Sequence, residues 1–178
     1  MKKFFLTAVI FILAQALCAQ GQKVSFLFDN SGSTYGFYND ALSTYKVFAK
    51  ALMKNAVSEN DYVSVYLFSK TEKQRGISSP QNLFQNSSKE FIPDKVMPLF
   101  KVAKAADNGY GNTDIIEALD KAISDLKGTA GVIWLVTDNI NDNSGMGGDS
   151  SLANTLEFYK RLRNDDNIRK ILLYLVPE

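Results

Sequence analysis

Histidine is absent from the 178 residues, and the only cysteine is Cys18, inside the first twenty. Without imidazole or a second thiol, the chain has no Ser-His or Cys-His nucleophile system and no zinc site built on nitrogen and sulfur. Any metal must be held by oxygen, which selects hard divalent cations: magnesium, manganese or calcium. Charge of one sign is not in excess either, with 20 Lys and Arg against 19 Asp and Glu. The composition therefore implies no electrostatic partner and no nucleic acid. The apolar run from Phe4 to Leu17 is shorter than the roughly 20 residues a spanning helix needs, which argues against a permanent membrane span.

That run has a different meaning. Lys2 and Lys3 precede it and the small or polar residues Cys18, Ala19 and Gln20 follow it, the order of charge, apolar stretch and cleavage region in an export signal. The expected organisation is an export signal over residues 1–19 and one domain over 20–178, with the protein in the periplasm, cell envelope or extracellular space. Acylation at Cys18 is the competing reading, and Leu17 stands where such sites usually have a small residue. Loss of Lys2 and Lys3 takes the formal charge from +1 to −1 and leaves a mature domain without thiol or disulfide. A hydrophobic fraction of 46% with 22% charged residues suits one globular domain, and no internal repeat is visible.

Lys23 to Phe28 is a short apolar run rich in Val and Phe that ends in the turn-forming Asp29, Asn30, Ser31, Gly32 and Ser33, so it predicts a buried strand. From Tyr38 onward Leu42, Tyr45, Phe48, Ala49, Leu52 and Met53 recur at helical spacing, and the helix is expected to end near Asn55 to Val57. Tyr62 to Phe68 is a second buried strand. Residues 70–112 hold no period for long; an edge strand around Lys89 to Ile92 and a short helix around Leu99 to Ala106, with Pro98 in its first turn, are the expectations there. Thr113 to Leu126 is a clear amphipathic helix with Gly128 just beyond it. Val132 to Val136 is a third buried strand, Asn139 to Ser151 a loop, Leu152 to Leu162 a helix and Ile171 to Val176 a last strand.

Strands apolar throughout and alternating with amphipathic helices predict an α/β fold, doubly wound, with a mostly parallel sheet covered by helices on both faces. Such sheets place their sites beyond the carboxyl ends of the strands. Asp29, Ser31 and Ser33 follow the first strand at alternate positions, Thr113 opens a helix after Gly111 and Asn112, and Asp138 follows the strand ending Leu135, Val136 and Thr137. Each alone suits a turn or helix cap. Together they bring oxygen donors from three segments to one sheet edge.

In that combination the sequence resembles the von Willebrand factor A (VWA) family. VSFLFDNSGS, Val24 to Ser33, resembles the family's first strand with its Asp-x-Ser-x-Ser loop; GNTDIIEAL, Gly111 to Leu119, its threonine segment; and WLVTD, Trp134 to Asp138, its fourth strand and terminal aspartate. The resemblance runs from about Lys23 to the end, in the family's order. It implies a Rossmann-like fold with a metal-ion-dependent adhesion site formed by Asp29, Ser31, Ser33, Thr113 and Asp138. Ser31, Ser33 and, depending on state, Thr113 would ligate the ion through hydroxyls, with Asp29 and Asp138 acting largely through water. A magnesium ion so held keeps positive charge and an open position for an acidic group of a protein or peptide partner.

Two features depart from the family. Asn139 stands where a glycine often follows the last aspartate. The chain also stops at Glu178, where relatives continue into another helix and edge strand, so a shortened domain and a fragment of a longer protein are both open readings.

Asn139 to Asp149 is rich in oxygen but lacks the spacing of a calcium-binding loop. Trp134 reads as core, whereas Tyr35, Tyr38 and Tyr110 flank the expected site and are contact candidates; Phe37 suits contact and core equally. The rival enzymatic reading is a metal-dependent phosphatase of the haloacid dehalogenase type, which needs a second aspartate two positions after the first, where this chain has Ser31. A fold used only for structural assembly is the third reading, and oxygen donors at all five motif positions argue against it. The expected function is binding, without catalysis.

Overall fold

The computed structural model describes residues 21–34, 44–69, 78–100, 113–126 and 131–137, the backbone of 168–175, and the single residues Thr129 and Lys160. Its strands are β1 (Lys23–Asp29), β2 (Tyr62–Phe68), β3 (Gln81–Ser87), β4 (Gly131–Thr137) and β5 (Ile168–Leu175). The helices are α1 (Thr44–Asn55), α2 (Pro93–Val96) and α3 (Ile115–Leu126), with short 3-10 turns at Gly32–Thr34, Ser88–Glu90 and Met97–Leu99.

The strands form one sheet in the order β3-β2-β1-β4-β5. β1 pairs in parallel with β2 on one side and β4 on the other, β4 pairs in parallel with β5, and only β3 runs antiparallel. The chain moves outward from β1 to β2 and β3, then returns across β1 to begin β4. That reversal puts a topological switch point between the carboxyl ends of β1 and β4, where sheets of this kind open a crevice.

Strand alternation divides the core in two. Val24, Phe26 and Phe28 of β1 join Val63, Val65 and Leu67 of β2 and Val136 of β4 on one face, where α1 lays Tyr45, Ala49 and Met53 over them. Leu27, Tyr66, Phe68, Ile133 and Leu135 point to the other face, under Ile115, Ala118, Leu119, Ala122 and Leu126 of α3. Phe26 is stacked with Phe91 and with Trp134, centroids 6.5 and 6.4 Å apart, so Trp134 packs with the core as its sequence position predicts.

Both ends of α3 are tied down. Asp114 accepts the Glu117 amide at 2.9 Å through Oδ1, an N-cap bond, and the Lys23 ammonium donates to the carbonyls of Asp125 and Leu126 at 2.8 and 3.0 Å. Gly131 is required where β4 begins: a Cβ there would lie 2.6 Å from the Lys23 carbonyl oxygen and 2.5 Å from Leu126 Cδ2. On the α3 face Tyr66 donates its hydroxyl to Asp125 Oδ2, and Lys121 reaches Asp125 Oδ1 at 2.5 Å and the Tyr66 oxygen at 3.2 Å.

Two expectations between residues 70 and 112 are corrected. The edge strand lies at Gln81–Ser87 and not at Lys89 to Ile92; Ser88–Glu90 is a 3-10 turn that delivers Phe91 into the core against Phe26 and Phe84. The start expected for the short helix, around Leu99 with Pro98 in its first turn, is instead a 3-10 turn over Met97–Leu99 followed by extended Phe100, and a separate short helix precedes it at Pro93–Val96 with Pro93 at its first position. Residues 101–106 of the expected helix lie outside the described residues, as do residues 1–19, the loop 139–151 and all but Lys160 of the helix expected at 152–162. Among the described residues no helix is long and apolar enough to cross a membrane.

Candidate metal centre

β1 ends at Asp29, which is fully buried at the switch point. Its carboxylate is held by two other segments of backbone and side chain. Oδ1 accepts the Ser31 amide at 2.8 Å, which folds the loop back on the strand, and Oδ2 accepts the Thr137 hydroxyl at 2.6 Å from the last residue of β4. Charge-assisted bonds of this length fix the carboxylate's orientation.

The loop after Asp29 is also pinned from outside the motif. Tyr45 of α1 donates its hydroxyl to the Asp29 carbonyl at 2.8 Å, with the Val136 carbonyl at 3.4 Å. Thr34 closes the 3-10 turn by donating its hydroxyl to the Ser31 carbonyl at 2.8 Å. Asn30 donates its amide to the Phe68 carbonyl at 2.9 Å, and Asp114 donates its own to the Ser69 carbonyl at 3.2 Å, so the loop after β1 and the start of α3 both dock on the end of β2. Ser79 braces that end with bonds to the Ser69 amide and carbonyl.

Of the five residues expected at the site, Asp29, Ser31 and Thr113 lie buried, at 0, 0 and 2% exposure, in segments that meet at this edge. Ser33 lies in the 3-10 turn, but its side chain is outside the described residues. Asp138 is also outside them, one residue beyond Thr137. Among the described residues no three His, Cys, Asp or Glu side chains converge. Thr34, Tyr45 and Thr137 were not singled out by the sequence pattern. The signal was there only for Thr137, inside WLVTD; Tyr45 registers in the sequence only as a core position of its helix.

The backbone course can be compared with solved structures. The proximal thread matrix protein 1 from the mussel byssus superposes with a TM-score of 0.58 at 19% identity, over 88% of this chain and 36% of that one. The conserved hypothetical protein BatB from Bacteroides thetaiotaomicron gives 0.57 at 19% identity, over 86% and 65%. The manganese-loaded TRAP protein of Plasmodium vivax gives 0.55 at 19% identity, over 86% and 56%. The fold is VWA-like. No family model matches the sequence, and no curated protein does. The chain spans from about a third to just under two thirds of those three structures, so the likeness concerns the VWA-like fold alone.

Proposed function

We propose that the chain is an exported adhesion or assembly module that holds a divalent cation at its strand ends and through it binds an acidic group of a protein or peptide partner. Magnesium is the first choice of ion, with manganese and calcium as alternatives. The carrying observation is the carboxylate of Asp29, buried at the β1–β4 switch point and oriented by Ser31 and Thr137.

The donors suit such an ion. Buried hydroxyl and carboxylate oxygens at Asp29, Ser31 and Thr113 are hard ligands, and the chain has no histidine to offer a softer one. Ser31, Ser33 and, depending on state, Thr113 would hold the ion directly, with Asp29 and Asp138 acting largely through its waters. When bound, the cation supplies an electrophilic position to which a partner's carboxylate adds. Thr137 and the Ser31 amide keep Asp29 aimed, while Tyr45 and Thr34 hold the loop in place before any ion arrives. The manganese-loaded state of the TRAP structure supports this reading, as does the VWA-like fold. Ser31 in place of a second aspartate favours binding over phosphoryl transfer.

A pull-down from the native cell envelope tests the function. Capture of the same partner by wild type in magnesium, lost in chelator and lost with Asp29→Ala, is the expected outcome. Equal capture in magnesium and in chelator contradicts it.

A further inference from the structure

Asn30 sits between Asp29 and Ser31, is only 4% exposed, and has a carboxamide oxygen with no hydrogen-bond donor among the described residues. A buried acceptor in that condition destabilises a fold unless something donates to it. Its place is not accidental to the loop. The Asn30 amide is bonded to the Phe68 carbonyl at 2.9 Å, which fixes the residue between the ends of β1 and β2, and the adjacent Ser69 carbonyl takes the amide of Asp114, the residue after Thr113. Asn30 therefore lies where the Asp29 loop and the Thr113 segment meet.

We propose that Asn30 is a further binding residue of this site, its Oδ1 accepting a hydrogen bond from a water of the cation's shell. The proposal rests on the cation reading above. Magnesium gives up its waters reluctantly and keeps several when protein-bound, and a cation makes the water it holds a stronger hydrogen-bond donor. A neutral amide oxygen meets that donor without adding negative charge, so the ion keeps its attraction for a partner's carboxylate.

The test compares Asn30→Leu and Asn30→Asp with wild type in the exported protein, by magnesium calorimetry and by thermal unfolding in chelator. Leucine removes the acceptor at similar volume; aspartate keeps one. Asn30→Leu should lose about tenfold in magnesium affinity, the order of one hydrogen bond, while unfolding in chelator at or above the wild-type temperature because an unsatisfied acceptor is gone. Asn30→Asp should bind magnesium at least as tightly as wild type.

Wild-type affinity in Asn30→Leu, with binding still abolished by Asp29→Ala, overturns the role of Asn30 and leaves the site standing. Absence of magnesium binding in folded wild type overturns both. If Asn30→Leu does not fold, Asn30→Asp decides: retained affinity supports the acceptor role, and lost affinity overturns it.

Discussion

Thr137 donates its hydroxyl to Asp29 Oδ2 at 2.6 Å, joining the ends of two parallel strands across 108 residues of sequence. The Tyr45 hydroxyl repeats the link through the backbone, with the carbonyls of Asp29 and Val136 at 2.8 and 3.4 Å. The carboxyl ends of β1 and β4 are thus joined by polar contacts centred on one buried aspartate, and the loop that carries Ser31 starts from a fixed point.

Thr137→Val should destabilise the domain by about 1.5–3 kcal/mol, because it removes a hydrogen bond to a buried carboxylate while keeping the side-chain volume. Thr137→Ser should recover most of that loss. Urea unfolding of the three proteins checks it; a change below about 0.5 kcal/mol for valine, the size of a surface substitution, contradicts the role assigned to the bond.

Gly131→Ala should destabilise by about 1–3 kcal/mol. Leu126 Cδ2 is the end of a side chain that can turn away, but the Lys23 carbonyl belongs to the paired strand and cannot. Denaturant unfolding reads the loss, and an alanine variant as stable as wild type would show that the two strands separate freely at this end.

Alkaline pH should weaken the fold through the α3 face. Burial of the Tyr66 hydroxyl raises its pKa above the ordinary 10.0, and the hydrogen bond to Asp125 adds to the rise against the opposing Lys121. For Lys121 burial acts downward, but the bonds to Asp125 and Tyr66 outweigh it and its pKa lies above the ordinary 10.5. Both groups hold their protons more tightly in the folded state. Their contribution is therefore complete below about pH 10 and disappears as pH rises through the folded values. Tyr66→Phe should flatten the fall in stability above about pH 10. Urea unfolding across that range measures it, and an unchanged slope in the variant contradicts the coupling.

The central strands were legible because burial on both faces writes a continuous apolar run. β2 coincides with the expected Tyr62 to Phe68, and β1 extends the expected strand only by Asp29. β3 was not legible for the opposite reason: QNLFQNS is an edge strand, exposed or half-buried along its whole length, and only Leu83 and Phe84 reach the core. The apolar pair Phe91 and Ile92 drew the expectation away from it, yet Phe91 enters the core from a turn and Ile92 is exposed. α3 starts two residues later than expected because Asp114 is its cap and not its first turn.

At the candidate site, local spacing revealed Asp29 and Ser31 because a strand followed by a tight polar loop has a recognisable order. The residues that hold Asp29 in place were hidden. Tyr45 and Thr137 act through contacts that exist only once a helix and a distant strand have packed, and Asn30 looked like one more turn residue until its burial was known.

The most direct test of the account is magnesium calorimetry on the protein and its Asp29→Ala, Ser31→Ala, Thr113→Ala and Asp138→Ala variants, with circular dichroism to show that each is folded. The account predicts about one site in wild type, abolished or strongly weakened in every variant, and a wild-type stabilisation of about 2.7 kcal/mol at a hundredfold excess of ion over its dissociation constant. Folded wild type that binds no magnesium, manganese or calcium, or magnesium binding that survives Asp29→Ala unchanged, would contradict it.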